Sequence, residues 1–223
     1  MILIVVNLIF ITNTSVAVEI GIRAMGHIFG AYNGQHIISE SSIPASEYET
    51  PYSPFEADES YSFSGSSLYF SFRNGLGIGG SNSSLQVQEN LHYQGRSLTV
   101  KTKDQISFVE ISYTLPIKPR EPFYLRGFMF FAGVASGKGD FETEIEFKDV
   151  NYEIAISEQS EPEAERGVTG GIVFIFKTAV QDPNPLEILI GYRSENIIYK
   201  FEEEDYSLNR HRTMATLGLG YFF

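Results

Sequence analysis

Alternation of apolar and polar positions with period two runs through most of the chain, and that period places successive side chains on opposite faces of a strand. Glu19–Tyr32 (EIGIRAMGHIFGAY) sets Ile20, Ile22, Ala24, Gly26, Ile28 and Tyr32 on one face and Gly21, Arg23, Met25, His27 and Phe29 on the other. Tyr61–Arg73 puts Leu68, Phe70 and Phe72 opposite Tyr69 and Ser71, and Asn74-Gly75 after it is a strong hairpin signal. A third strand runs from Leu76 to about Gln88, with a slip of parity near Gly79-Gly80 that predicts a bulge or kink. Ile106–Leu115 alternates Val109, Ile111, Tyr113 and Leu115 with Glu110, Ser112 and Thr114. Phe123–Ala135 is apolar on both faces apart from Arg126; Leu125, Met129 and Phe131 are assigned outward and Arg126 inward. Gly167–Lys177 carries Ile172, Phe174 and Phe176 on one face. Leu186–Ile198 carries Leu186, Ile188, Ile190 and Tyr192 against Glu187, Gly191, Arg193 and Glu195. The last strand, His211–Phe223, sets Ala215, Leu217, Leu219, Tyr221 and Phe223 against Arg212, Met214, Thr216, Gly218, Gly220 and Phe222.

The connections alternate in length. Hydrophilic stretches 33–60, 89–105, 136–166 and 202–210 follow strands one, three, five and seven, whereas tight turns follow two, four and six, at 116–122 and 179–185 for the last two. Loops beyond ~12–15 residues are uncommon in compact domains unless they serve a function. Within 136–166, Phe141, Thr143, Ile145 and Phe147 alternate with Glu142, Glu144 and Glu146, and Tyr152, Ile154 and Ile156 alternate with Glu153 and Ala155. This predicts a hairpin projecting beyond eight spanning strands, the competing count being ten.

One face of nearly every strand is continuously apolar and the other is small or polar, the pattern of a barrel with lipid outside and a packed polar lumen inside. The ending LGLGYFF resembles the terminal strand of bacterial outer-membrane β-barrels, and the strand and loop rhythm resembles the eight-stranded barrels of the OmpA/OmpX type over nearly all of the mature length. The resemblance implies a transmembrane antiparallel up-and-down β-barrel with long extracellular loops and short periplasmic turns, both barrel ends being periplasmic. It also implies that Leu217, Leu219, Tyr221 and Phe223 form the signal read by the barrel-assembly machinery.

Bulk properties fit that reading. Mean hydropathy is −0.08, as expected when alternating strands average out over any window. There are 18 Phe, 13 Tyr and no Trp or Cys in 223 residues, which excludes disulfides and thiolate metal sites. The net charge of −12 argues against nucleic acid as a partner. The start, MILIVVNLIFITNTSVA, reads as a signal peptide over residues 1–17 with cleavage after Ala17, leaving a barrel domain at 18–223. It departs from the usual signal in having no Lys or Arg before the apolar run, which is too short for a membrane helix of ~20 residues.

An eight-stranded barrel is filled by its own side chains. The inward ionisable positions are Arg23, His27, Glu110, Arg126, Glu187, Arg193, Glu195 and Arg212, expected to form a polar network in the lumen. Glu195 and Arg212 are expected to face each other across the last hairpin, and Glu110 and Arg126 to be diagonal neighbours. The four His lack metal-ligand spacing, and Gly77-Ile78-Gly79-Gly80 lies within a strand without a following helix, so neither a metal site nor a phosphate loop is expected. No cofactor is expected. The function read from this is non-enzymatic, in envelope structure or surface interaction, with membrane lipid around the barrel and an extracellular ligand at loops 33–60 and 136–166. Alternatives are a lipid-modifying enzyme of the same membrane and a soluble lipocalin-like binder; the barrel is expected to be a monomer.

Overall fold

The computed structural model describes residues 20–34, 56–93, 96–117, 125–149, 152–161, 163–177, 186–201 and 206–223. The expected signal peptide at 1–17 and residues 35–55 of the first loop lie outside the described residues, as do most of the 116–122 turn and all of the 179–185 turn. Ten strands follow in chain order: β1 (Ile20–Gly34), β2 (Glu56–Phe72), β3 (Leu76–Tyr93), β4 (Arg96–Pro116), β5 (Leu125–Ala135), β6 (Asp140–Asp149), β7 (Tyr152–Ser160), β8 (Glu163–Lys177), β9 (Glu187–Phe201) and β10 (Tyr206–Phe222).

Eight of them close a ring of antiparallel ladders: β1–β2–β3–β4–β5–β8–β9–β10 and back to β1. The remaining two, β6 and β7, are a hairpin. β4 is 21 residues long; its C-terminal half pairs with β5 and its N-terminal half with β6. The chain leaves β5, passes Gly137 at φ +80, and resumes along the same edge of β4 as β6. The eight-strand count holds, with the hairpin beyond the ring.

Laddered partners traced around the ring from Ala24 run through Leu68, Gly80, Val109, Val134, Val168, Asn196 and His211 to Asn33, nine positions further along β1. With strands about 4.8 Å apart and about 3.3 Å per residue, that offset requires a strand tilt of roughly 40°.

Outside, the wall is apolar. Ile22, Phe70, Ile111, Phe130, Phe174, Ile190 and Leu219 all project from it with 37–69% exposure. Inside, Arg23, Arg193, Arg212, Glu110, Glu187 and Glu195 have at most 3%. A soluble barrel has the opposite arrangement, since charges seek water and apolar groups avoid it. This is a membrane-spanning barrel. The outward parity continues past the belt but turns polar, as Ser62, Ser64 and Ser66 on β2, Asn82, Ser84 and Gln86 on β3, and Lys103, Gln105 and Ser107 on β4.

Several positions differ from the sequence expectation. β1 has one extra residue between His27 and Phe29 relative to β10, so parity flips: Phe29 faces outward at 66% exposure and Tyr32 faces inward under Arg210. A bulge moves every following side chain to the other face. No bulge occurs at Gly79-Gly80; the β2–β3 register is continuous, and Gly79 instead leaves room for the Tyr69 ring. Met129 (0%) and Phe131 (5%) point inward, opposite Thr114 and Ser112, while Phe128, Phe130 and Val134 face out. With both faces of β5 apolar, the partner strand decides, because directly paired residues share a face. Leu125 precedes a register shift at Leu125/Gly127 and is half-buried. Finally, 89–105 is no loop: β3 and β4 run paired from Leu76↔Tyr113 to Tyr93↔Arg96 as one long hairpin.

Candidate functional site

The lumen is layered. At the turn end, Arg23 Nε donates to Glu187 Oε2 at 2.8 Å, and its Nη1 donates to Thr114 Oγ1 (2.7 Å) and Ser71 Oγ (3.1 Å). The Phe222 ring lies 5.2 Å from this guanidinium. Beside this pair, seven side chains form an apolar plug: Met25, Tyr69, Met129, Phe131, Val173, Ile175 and Leu189.

The middle of the lumen holds a column in which anion and cation alternate. Glu110 Oε1 accepts from Arg193 Nη2 at 2.7 Å, and Arg193 Nε donates to Glu195 Oε1 at 2.6 Å. Glu195 Oε2 lies 3.4 Å from Arg212 Nε, Arg212 Nη2 lies 2.9 Å from Asp104 Oδ1, and Asp104 Oδ2 lies 4.0 Å from Arg210 Nε. The Arg212–Asp104 contact is an ion pair without hydrogen-bond alignment, since neither Asp104 oxygen accepts a hydrogen bond from protein.

Hydroxyls fill the remaining capacity. Ser81 Oγ and the Tyr69 phenol donate to the two oxygens of Glu110, Ser83 Oγ donates to Glu195 Oε2 at 2.8 Å, and Arg212 Nη2 donates to the Tyr199 oxygen at 3.1 Å. Arg193 sits between the rings of Phe108 and Phe131, each 5.3 Å from its Cζ. A second apolar cluster, Ile106, Phe108, Phe141, Ile197, Tyr199 and Leu208, packs alongside.

Among the described residues the buried cations are Arg23, Arg193, Arg210 and Arg212, and the buried carboxylates are Asp104, Glu110, Glu187 and Glu195. Four stand against four. This buried set therefore carries no net formal charge, and the chain's excess of −12 lies elsewhere. Neutrality is what desolvation demands, because an unpaired buried charge costs several kcal/mol.

Of the eight lumen residues expected from sequence, the structure brings Glu110, Arg193, Glu195 and Arg212 into one column and pairs Arg23 with Glu187. His27 is buried at 6%, its Nε2 3.4 Å from Ser67 Oγ. Arg126 is not a neighbour of Glu110. The register sets Glu110 opposite Gly133, seven residues and roughly 23 Å of extended chain away; Arg126 lies at the turn end, where its carbonyl accepts from Ile117 N at 2.8 Å. The pairing of Glu110 with Arg193 crosses the lumen between strands that are not neighbours, which no local pattern shows. Asp104 and Arg210 were missed because both fell in stretches read as loops. The available signal was parity: Asp104 continues the Glu110 face of β4, and Arg210 the Arg212 face of β10.

At the opposite end the β6–β7 hairpin presents two unlike faces. Glu142, Glu144 and Glu146 share the outward parity of Lys101 and Lys103, with Lys101 Nζ 3.2 Å from Glu144 Oε2. Lys148 pairs with Glu146 and with Glu153, the latter at 3.4 Å. The Lys148 ammonium, hydrogen-bonded to Glu146, holds that carboxyl below its ordinary range, and the two glutamates hold the ammonium above its own. The other face carries Phe141, Ile145, Phe147, Ile154 and Ile156. Ile154 and Ile156 are 50% and 57% exposed. Among the described residues, β7 has no ladder partner on its far edge.

These features define an eight-stranded transmembrane β-barrel with a packed, charge-balanced lumen and a projecting hairpin. No protein-family model and no curated protein matches the chain. Among solved structures it is similar to Ail, the attachment invasion locus protein of Yersinia pestis, in complex with the heparin analogue sucrose octasulfate. Identity is 14% over 92% of this chain and 99% of that one, with a TM-score of 0.41. The outer membrane protein OprG from Pseudomonas aeruginosa gives 12% identity, coverages of 93% and 96%, and a TM-score of 0.43. The outer membrane protease OmpT from Escherichia coli gives 10%, 96%, 99% and 0.37. Likeness at these scores carries no argument about activity, and the functional reading rests on this chain's own geometry.

Proposed function

We propose that this protein is a non-enzymatic bacterial outer-membrane barrel that acts through its extracellular hairpin. The observation that carries the reading is the pair Ile154 and Ile156, half exposed on a strand that has no partner on its far edge among the described residues and that rises beyond the apolar belt. Apolar side chains on an open strand edge are a template for an extended partner, and the acidic face of the hairpin favours a partner with basic residues. The lumen column supports the non-channel part of the reading, since Arg193, Glu195 and Arg212 have no exposed side-chain surface. In this reading Leu217, Leu219, Tyr221 and Phe223 present the strand that the barrel-assembly machinery takes up, and the barrel works as a monomer.

The test compares cells displaying the wild-type protein with cells displaying Ile154→Ser/Ile156→Ser, at equal surface amounts and equal heat-dependent gel mobility. Adhesion to immobilised basic matrix proteins should fall for the variant. Unchanged adhesion would overturn the hairpin as the contact.

A second reading, a lipid-modifying hydrolase, has one observation behind it: Ser67 Oγ lies 3.4 Å from His27 Nε2. A Ser–His pair needs a third group to orient the imidazole, and His27 Nδ1 has no hydrogen-bond partner. An altered lipid A mass spectrum on expression, lost in Ser67→Ala, would establish this reading instead.

A further inference from the structure

The hairpin and the ring share one wall. β5 and β6 both lie against β4, and β7 lies against β6 as β8 lies against β5. All four ladders are antiparallel, so β7 and β8 run in the same direction, each two strands from β4. β7 (Tyr152–Ser160) therefore stands above β8 (Glu163–Lys177) in the same column of the wall, with residues 161 and 162 between them. The next column is β9. Its ladder on β8 ends at Glu163↔Lys200, and β9 itself ends at Phe201. Among the described residues, the far edge of β7 thus borders a place one strand wide directly above β9.

That edge is held in position. Phe141 at the foot of β6 is 2% exposed and lies against Tyr199 and Phe201 of β9, with ring centroids 6.0 and 5.2 Å away. β6 is also laddered to β4 over nine pairs, from Ser97↔Lys148 to Gln105↔Asp140. A guest strand meets a preformed edge, which lowers the cost of ordering on binding.

The edge carries a definite order of side chains: Glu153, Ile154, Ala155, Ile156, Ser157, Glu158, all of them exposed. Ile154 and Ile156 continue the lumen-side face of Leu98 and Val100 through Phe147 and Ile145. One glutamate stands at each end of the isoleucine pair, the two residues between are small, and residues 152–160 include no Lys, Arg or His. Directly opposed residues on paired strands share a face and interact. A strand added antiparallel, the pairing with the more stable ladder, is therefore complementary when it reads basic, any, apolar, any, apolar, basic. A second copy of the hairpin fits poorly, since residues 140–161 hold eight Asp and Glu against one Lys and two such segments repel.

We propose, on the reading of the hairpin as the extracellular contact, that β7 takes up by strand addition an extended segment of another protein with basic and apolar residues in that order. Main-chain hydrogen bonds along the edge supply affinity, and the alternating side chains supply selectivity.

The test uses the full chain refolded into phosphatidylcholine vesicles. The chain has no cysteine, so Ala155→Cys supplies a single thiol, and the probe is the peptide TKTVCVKT in glutathione buffer. Antiparallel on β7, the probe sets its cysteine opposite position 155, its valines opposite Ile154 and Ile156, and its lysines opposite Glu158 and Glu153. The reversed peptide TKVCVTKT keeps the valines in place but draws both lysines off the glutamates. The mixed disulfide should form about fivefold more with the first peptide. Adding Ile154→Ser/Ile156→Ser should remove that preference, and adding Glu158→Lys should pass it to TETVCVKT. Equal yields from the first two peptides, or more from the reversed one, would overturn the order of residues. A disulfide between two copies of the chain that outcompetes the probe would overturn the foreign strand in favour of a second copy. If adhesion depends on Ile154 and Ile156 while the peptides are not distinguished, strand addition alone falls. If the peptides are distinguished as expected while adhesion is unchanged, the edge stands and the adhesive role falls.

Discussion

Glu195 of β9 stands directly opposite Arg212 of β10, Oε2 to Nε at 3.4 Å, and neither side chain has any exposed surface. The pair is one link in a column, so its removal strands the next member. Arg212→Leu leaves Asp104 and Glu195 short of a cation, and such a loss costs about 3–5 kcal/mol. Urea unfolding in lipid vesicles, read by gel mobility without boiling, should show a markedly lower midpoint. Arg212→Leu/Glu195→Leu should recover part of it, because the charges that remain still pair as Glu110 with Arg193 and Asp104 with Arg210. An unchanged midpoint in the single variant would mean the column does not stabilise the barrel.

The lipid-facing assignment separates positions on one strand by depth alone. Leu219→Arg places a charge on the apolar belt and should cost about 2–4 kcal/mol if it lies near the bilayer midplane. Ser207→Arg has the same parity on β10 but lies beyond the belt, and should be close to neutral. Equal effects at both positions would remove the belt from where Ile188, Ile190, Leu217 and Leu219 now define it.

Gly75 closes the β2–β3 turn at φ +88, and a Cβ there would come within 2.6 Å of the Thr114 carbonyl. Gly75→Ala meets both penalties, the backbone part alone being about 1–2 kcal/mol. The neighbouring Asn74→Ala loses only the Oδ1 acceptance from Leu76 N at 3.0 Å. Equilibrium unfolding should therefore rank Gly75→Ala below Asn74→Ala.

The hairpin responds to pH from both sides. Glu146 is held below its ordinary range by Lys148, so its contribution is present above the unfolded carboxylate pKa and is lost as pH falls through the lowered folded value. Lys148 is held above its ordinary range by the two glutamates, so its contribution is present below the unfolded lysine pKa and is lost as pH rises through the raised folded value. Both groups are exposed, so salt should weaken the effect. NMR shifts of the Glu146, Lys148 and Glu153 amides should move at the acid and alkaline ends with a plateau between. In Lys148→Gln the acid-end movement should shift up toward the ordinary carboxylate range. Identical titrations in the variant would show that Lys148 does not hold Glu146.

Much of this molecule could be read along the chain. Period-two alternation on β4, β8, β9 and β10 identified which side chains face lipid, because both the pleat and the demand for an apolar exterior are local constraints. The same reasoning placed Arg23, Glu187, Arg193, Glu195 and Arg212 inside and set Glu195 across from Arg212, since a hairpin fixes its own register. It failed where the local signal was ambiguous. β5 is apolar on both faces, so Met129 and Phe131 took their direction from Ser112 and Thr114 on β4. On β1 one extra residue after His27 reversed Phe29 and Tyr32, and an insertion of that kind shows only in the register with β10.

By itself, then, the sequence determined the class of fold, the lipid-facing side of most strands and the presence of charges of both signs inside. Tertiary structure alone decided the partners: Arg193 reaching across the lumen to Glu110, Asp104 and Arg210 completing a neutral set, and the β1–β2 ladder stopping at Gly26 and Ser66. Alternation is a property of one strand and its solvent. Charge neutrality and ladder length belong to the closed ring, where residues more than eighty positions apart are brought to 2.7 Å and the cost of any unpaired group is set by neighbours the chain has not yet reached.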